Sequence, residues 1–259
     1  MSNKCKEIKK ARSAVRLVRS DLGEKSYRDQ NHRLGDAGRT LSDARDAAVK
    51  LKTLEALRDD DEVKLSPAAR DALAAAIAAA SAADDSTDAE VRSAAAEAVT
   101  LLERAREPVE GWMLEDGGWR LIGPGLDRAY RGGRSAYAAV AADPSDEGVH
   151  EWRKRAKDLW YQLRLLKPTW PEVIGELDDQ AHALADLLGD HHDLALLAAD
   201  LESSAPALSD EQREALADLV RGRQEALLAE ALPLGERIYA ESPKAFARRM
   251  RSYWRAWRG

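Results

Sequence analysis

Hydrophobic residues recur along most of the chain at the three- and four-residue spacing of amphipathic helices. In the segment 150–167, HEWRKRAKDLWYQLRLLK, apolar and charged positions separate onto two sides when successive residues are placed about 100° apart. The apolar side consists of Trp152, Ala156, Leu159, Trp160, Leu163 and Leu166. The pattern therefore predicts a helix that packs into a core along one side.

The same periodicity predicts helices in the rest of the chain. They are expected at 4–19, 68–83, 89–106 and 126–142 before this segment, and at 172–201, 209–237 and 244–258 after it. Val and Ile are too sparse and scattered to supply a sheet, so the predicted fold class is all-α. The Ala-rich helices 68–83 and 89–106, joined by the turn signal DDSTD, are expected to form a hairpin.

The chain carries the same succession of elements twice. An offset of 148 residues superposes the two basic segments, and an offset of 147 places LSDARDAAV at 41–49 on LGDHHDLAL at 188–196. The superposed pairs are Lys6 and Lys154, Lys9 and Lys157, Arg16 and Arg164, and Arg45 and His192. We interpret the chain as one domain, 1–259, a helical bundle of two pseudo-symmetric repeats at 1–107 and 126–259. The Gly-rich segment 108–125 breaks helical periodicity and is predicted to connect them.

Basic residues dominate the polar side of both superposed helices. On the later helix they are His150, Arg153, Lys154, Lys157 and Arg164, and on the first helix they are Lys6, Lys9, Lys10 and Arg16. Glu151 and Asp158 lie on the flank of the later helix, so we expect no carboxylate of that helix to neutralise its basic side. Most charged helix faces are simply solvated. Two such faces across a groove, however, would raise a local positive potential that attracts a polyanion.

Composition and missing motifs exclude several classes of protein. The formal net charge of −6 argues against a protein that coats nucleic acid through its overall field. A single cysteine, Cys5, excludes an intrachain disulfide, and no apolar run approaches the roughly 18 residues of a membrane span. With no apolar signal-peptide core at the start, we expect a cytoplasmic protein. Adjacent histidines such as His191 and His192 diverge on a helix, so neither a metal nor another cofactor is expected.

Two segments of the chain resemble a known family. The motif H-x-x-R-K-x-x-K-x-x-x-Y-x-x-R at 150–164, followed by LLGDHHDLALL at 187–197, resembles the second repeat of the CHAD family, the conserved histidine α-helical domains. KEIKKARSAVRLVR at 6–19 is similar to the first repeat, and GLDRAYRGGRSAY at 125–137 is similar to the link into the second.

The resemblance implies a basic central cavity that binds inorganic polyphosphate, with no reaction of its own. Together with Lys10 from the basic side of the first helix, the expected polyphosphate-binding residues are Lys6, Lys9, Arg16, Arg45, Arg131, Arg134, His150, Arg153, Lys154, Lys157 and Arg164. Ser2 and Cys5 stand where the first repeat of the family has His and Arg, which predicts either a degenerate first half or a start further upstream. Trp160 stands where the family often has a basic residue, so we expect a less basic cavity.

Two alternative functions follow from other features. The first is an enzyme acting on phosphorylated small molecules with His150 as acid or base, although no second catalytic group, nucleophile elbow or P-loop accompanies it. The second is an adaptor that uses the basic and aromatic helix at 244–258 to bind a nucleic acid or a membrane surface. We favour the interpretation that this last helix docks its aromatic residues into the bundle.

Overall fold

The computed structural model describes residues 2–43, 46–60, 65–83, 88–114, 117–204 and 208–259. Within these ranges the protein is all-α, with eleven helices and no strand, as the sequence predicts. The helices are α1 (Ser2–Leu17), α2 (Arg19–Leu22), α3 (Glu24–Asp43), α4 (Asp46–Arg58), α5 (Pro67–Ala83), α6 (Asp88–Arg106), α7 (Trp119–Ala142), α8 (Asp146–Leu166), α9 (Pro171–Ser204), α10 (Asp210–Ile238) and α11 (Pro243–Arg258). Short 3₁₀ segments occupy Glu107–Gly111 and Lys167–Thr169.

The start of α7 differs from the prediction. This helix begins at Trp119 rather than near residue 126, and it contains Pro124. As the sixth residue of the helix, Pro124 removes only one backbone hydrogen bond, which the helix tolerates near its start. Gly125 has a packing role: a Cβ at this position would overlap the backbone carbonyl of Leu17 in α1. The glycine that weakened the helical pattern therefore allows α7 to approach α1 closely.

The Ala-rich helices α5 and α6 do not form the predicted hairpin. Instead, α5 packs against α4 and α10, whereas α6 packs against α3. The apolar faces explain the difference: Leu73 of α5 joins a core with Leu54 and Leu216, and Ala98 of α6 joins Ile8 and Leu41. A turn signal between two helices therefore did not determine their packing partners.

The main core surrounds α8. Trp152, Leu159 and Leu163 are buried there, as the periodicity of this helix predicts, and they pack with residues of α7, α9, α10 and α11. Within the bundle, α1 packs against α3 and α8 packs against α9. This arrangement agrees with the two superposed segments of the sequence, while the division into pseudo-symmetric repeats stays a prediction.

The last helix, α11, docks into the bundle. Phe246 and Met250 are buried, and the Phe246 ring stacks on Tyr130 of α7 with 3.9 Å between ring centroids. Tyr130 also donates a hydrogen bond to the backbone oxygen of Glu241, just before the helix. The predicted docking of the C-terminal aromatic residues is therefore confirmed for Phe246.

Replacing Gly125 tests the close approach of α7 to α1. We expect Gly125→Ala to lower the free energy of unfolding by roughly 1–3 kcal/mol, because the new methyl group has no room beside the Leu17 carbonyl. Gly222→Ala, at an exposed position of α10, is the matched control. Nothing lies near a Cβ added at this position, and alanine should raise the free energy of unfolding by roughly 0.5–1 kcal/mol. Urea unfolding of both variants gives the comparison, and equal effects would contradict the packing argument.

Candidate functional site

The two basic helices, α1 and α8, touch each other. The Ser13 hydroxyl of α1 donates a hydrogen bond to the backbone oxygen of Asp158 at 3.2 Å, and the Arg16 guanidinium pairs with the Asp158 carboxylate. Burial raises the pKa of Asp158, and the positive charge of Arg16 opposes that shift. Arg16 therefore forms an ion pair that links α1 to α8.

On one side of this contact, α8 and α9 bring two histidines together. His150 Nδ1 lies 3.1 Å from His192 Nδ1, with the ring centroids 4.2 Å apart. Burial lowers the pKa of His150, and the charges of Lys154 and Arg153 lower it further. The pKa of His192 falls to about 4, first through burial and then through Arg153. Both rings are therefore neutral at pH 7 in the unliganded protein.

Arg153 and Lys157 lie beside the histidine pair, and Lys9 of α1 lies near Lys157. Together they form what we call the histidine cluster: His150, His192, Arg153, Lys157 and Lys9. Burial, together with the positive charges of Arg153 and Lys9, lowers the pKa of Lys157 to about 7. Arg153 Nε is buried without a hydrogen-bond partner. The cluster thus combines a buried donor with cationic groups that repel one another.

Carboxylates of α9 partly balance this charge. Burial lowers the pKa of Arg153, while Asp193 and then Asp190 act in the opposite direction. Asp190 itself has a raised pKa, because it is partly buried and lies near Asp193 and Asp186. Asp190 and Asp193 therefore border the histidine cluster and attract the Arg153 guanidinium.

Two of the predicted basic residues of α8 are exposed and are left out of the cluster, although Lys154 is close enough to lower the pKa of His150. Lys154 is exposed and pairs with Glu151 at 3.4 Å, and Glu151 also binds Arg155 at 2.7 Å. The expectation that no carboxylate of this helix neutralises its basic side is therefore wrong, because Glu151 reaches residues three and four positions later. Arg164 is exposed, with its guanidinium carbon 5.9 Å from the centroid of the Trp160 ring.

The remaining predicted residues are scattered. Lys10 pairs with Glu7 of its own helix, and Arg131 pairs with Asp127 at 2.7 Å on the exposed side of α7. Arg134 is exposed on the same helix. Arg45 and the side chain of Lys6 lie outside the described residues. Of the predicted binding residues, the structure therefore brings together His150, Arg153, Lys157 and Lys9, a group that His192 joins.

A second basic group, which the sequence analysis did not find, lies on the other side of the α1–α8 contact. Arg155 projects from α8 about 160° away from Arg153 and Lys157. With Arg16, Arg19 and Arg128 it lines a small cavity of about 60 Å³ between α1, α7 and α8. Arg16 and Arg19, three residues apart in the sequence, are the sequence signal for this group, although Arg19 begins α2.

The described ranges contain neither a candidate metal site nor a candidate membrane span. They contain no group of three or more His, Cys, Asp or Glu side chains placed to hold a metal ion. None of their helices combines the length and apolar character that crossing a membrane requires.

Comparison with known proteins identifies one related family. A family model described as the CHAD domain matches residues 6–202 of the 259. This range contains α8, most of α9 and the histidine cluster. No curated protein and no solved structure matches the chain.

Proposed function

Because the chain belongs to the CHAD family, we propose that it binds inorganic polyphosphate through the histidine cluster and has no catalytic activity. CHAD domains are known for binding polyphosphate and are generally not catalytic. The observation that carries the proposal is the position of Lys157, a partly buried ammonium group beside two further cations, Arg153 and Lys9. Like charges in such an arrangement repel each other, and a bound polyanion relieves this repulsion.

The chemistry of the cluster suits phosphate oxygens. Arg153 offers a planar set of donors, including a buried Nε without a partner, and Lys157 offers a compact charge. His150 and His192 become additional donors when an anion raises their pKa values and they take up protons. Asp190 and Asp193 border the site and disfavour anions, so only a ligand of high charge density overcomes their repulsion.

The test is a binding measurement with fluorescently labelled long-chain polyphosphate and the full-length protein. If about three to four cations neutralise the ligand, affinity should fall roughly tenfold to hundredfold between about 50 and 200 mM salt, through counterion release. Single-stranded DNA of equal charge serves as the competitor. We expect it to displace polyphosphate poorly, because its phosphates are spaced further apart and present a lower charge density to the cluster. Equal affinity for DNA, or no saturable binding of polyphosphate, would overturn the proposal.

Arg251→Glu supplies the control for this measurement. Arg251 is exposed on α11, outside the histidine cluster, and its replacement should leave polyphosphate affinity unchanged. A loss of affinity in this variant would place the binding surface on the C-terminal helix instead.

A further inference from the structure

A large cavity that the polyphosphate proposal does not use opens between α8, α9 and α10. It has a volume of about 670 Å³ and lies between the first turn of α8, the second half of α9 and the first half of α10. This volume falls within the range of small-molecule binding sites in proteins. Its lining contains His191 rather than His192 and shares no residue with the histidine cluster.

The cavity has an apolar floor and an acidic rim. The floor residues are Val149, Ala198, Leu201, Ala217, Val220 and Leu228. The carboxylates of the lining are Asp146, Asp210, Glu214 and Glu225. Two arginines also line it, but each has partners: Arg221 pairs with Asp218 at 3.1 Å, and Arg213 donates to the backbone oxygen of Leu208 at 3.1 Å. The rim therefore favours a cationic ligand over an anionic one.

His191 gives this cavity a specific polar feature. The residue is only 6% exposed, and its Nδ1 atom is buried without a hydrogen-bond partner. Nδ1 lies 4.0 Å from the Asp146 carboxylate, which is itself fixed at 3.0 Å by the side-chain amide of Gln224. A buried polar atom without a partner costs free energy. A ligand in the cavity that donates a hydrogen bond to Nδ1 would recover this free energy.

The spacing of these two groups identifies the kind of ligand. Burial lowers the pKa of His191, which favours the neutral ring. In the tautomer that carries its proton on Nε2, Nδ1 accepts a hydrogen bond, as the Asp146 carboxylate does. A group with two or more N–H donors can bridge two such acceptors. A carboxylate or phosphate would instead meet a rim with four carboxylates, of which Asp210 is paired with Arg213 at 3.9 Å. The apolar floor requires a hydrocarbon body next to that donor group.

We propose that this cavity binds a small organic cation, an ammonium group attached to an apolar body. The ammonium group donates hydrogen bonds to His191 Nδ1 and to Asp146, and the apolar body covers the floor formed by α9 and α10. This inference is independent of the polyphosphate proposal, because it concerns different residues and a ligand of opposite charge.

Calorimetric titration of the full-length protein with n-hexylamine tests the proposal. For a ligand of this size we expect a dissociation constant on the order of 0.1–1 mM. n-Hexanol has the same body without the charge and should bind at least tenfold more weakly, and hexanoate should show no saturable binding. If hexylamine gives no saturable binding up to about 10 mM, or binds no better than hexanol, the proposal is wrong.

Three variants locate the site. His191→Leu removes the unpartnered nitrogen and Asp146→Asn removes the charge while keeping a polar residue at the start of α8, so each should weaken hexylamine binding at least tenfold. His182→Gln, an exposed histidine elsewhere on α9, is the matched control and should bind as the unaltered protein does. Helical circular dichroism and a cooperative urea unfolding transition in all three variants show that they are folded. Unaltered hexylamine binding in both folded cavity variants would contradict the assignment.

Discussion

Lys157→Glu is expected to weaken polyphosphate binding by roughly 30-fold or more. Truncating one partner of a buried charge pair in a complex costs about 2–5 kcal/mol, and reversal adds repulsion between the new carboxylate and the phosphates. Lys157 sits inside the histidine cluster beside Arg153, where it would face the bound ligand directly. Fluorescence titration with labelled polyphosphate at low salt measures the change.

Lys154→Glu is the matched control for that prediction. From the sequence, Lys154 and Lys157 are equally good candidates, but Lys154 is exposed and already paired with Glu151. Surface charges of this kind contribute little, so we expect a loss of less than about threefold. Equal losses in the two variants would show that the ligand lies over the outer surface of α8 rather than in the histidine cluster.

Lys157→Met separates loss of binding from loss of structure. Replacing the partly buried ammonium by an apolar side chain of similar length removes its repulsion with Arg153 and Lys9. The unliganded protein should therefore gain roughly 1–2 kcal/mol of stability at pH 6, while polyphosphate affinity falls. Urea unfolding at pH 6 measures the gain.

Polyphosphate affinity is expected to rise as the pH falls from 8 to 6. The pKa of Lys157 is about 7 in the unliganded protein, and a bound polyanion raises it. Above pH 7 binding must therefore be accompanied by proton uptake, and affinity should fall by up to about tenfold per pH unit. The lowered pKa values of His150 and His192 extend proton uptake to lower pH.

The ionisable groups that face Lys157, His150 and His192 come from three helices, and they set the size of the effect. Those of α8 are Glu151, Arg153 and Lys154, those of α9 are Asp186, Asp193 and His191, and α1 contributes Lys9. Lys157→Arg keeps the positive charge without titrating in this range, so it should flatten the pH dependence above pH 7. Calorimetry in buffers of different ionisation enthalpy counts the protons. Binding without proton uptake at pH 8 would contradict the assignment of Lys157 to the site.

The stability of the unliganded protein should also depend on pH, because of the lowered pKa of Lys157. Because the folded state lowers the pKa of Lys157, it binds fewer protons than the unfolded chain between pH 7 and the ordinary lysine pKa. The free energy of unfolding should therefore increase with pH between about pH 7 and the ordinary lysine pKa, and Lys157 should lower it most below pH 7.

Local periodicity predicted most of the fold but not the tertiary partners of individual residues. Trp152 and Leu163 are buried as their helical spacing requires, because one side of α8 must enter the core. Asp158 lay on the flank of the same helix, yet it is buried against Arg16, 142 residues earlier in the chain. Nothing in the spacing of α8 identifies that partner.

The histidine cluster was also predictable only where its residues lie on one helix. His150, Arg153 and Lys157 share one side of α8, so the sequence placed them together correctly. His192 joins them only because α9 packs beside α8, a contact that no single-helix pattern contains. By contrast, the pairing of Glu151 with Lys154 and Arg155 follows from their separation of three and four residues, a signal that was present in the sequence.

The contact between His150 and His192 makes the two rings chemically different. A neutral imidazole carries one N–H, so for the two Nδ1 atoms to share a hydrogen bond, one ring must hold its proton on Nδ1 and the other on Nε2. While that hydrogen bond is made, the two rings are therefore in opposite tautomeric forms. If a polyanion bound as proposed raises both pKa values enough for each ring to take up a proton, two N–H groups point at each other across 3.1 Å and the rings must separate. That protonation would break the hydrogen bond between α8 and α9, and nitrogen NMR of the two rings would record it as the replacement of both neutral tautomers by imidazolium.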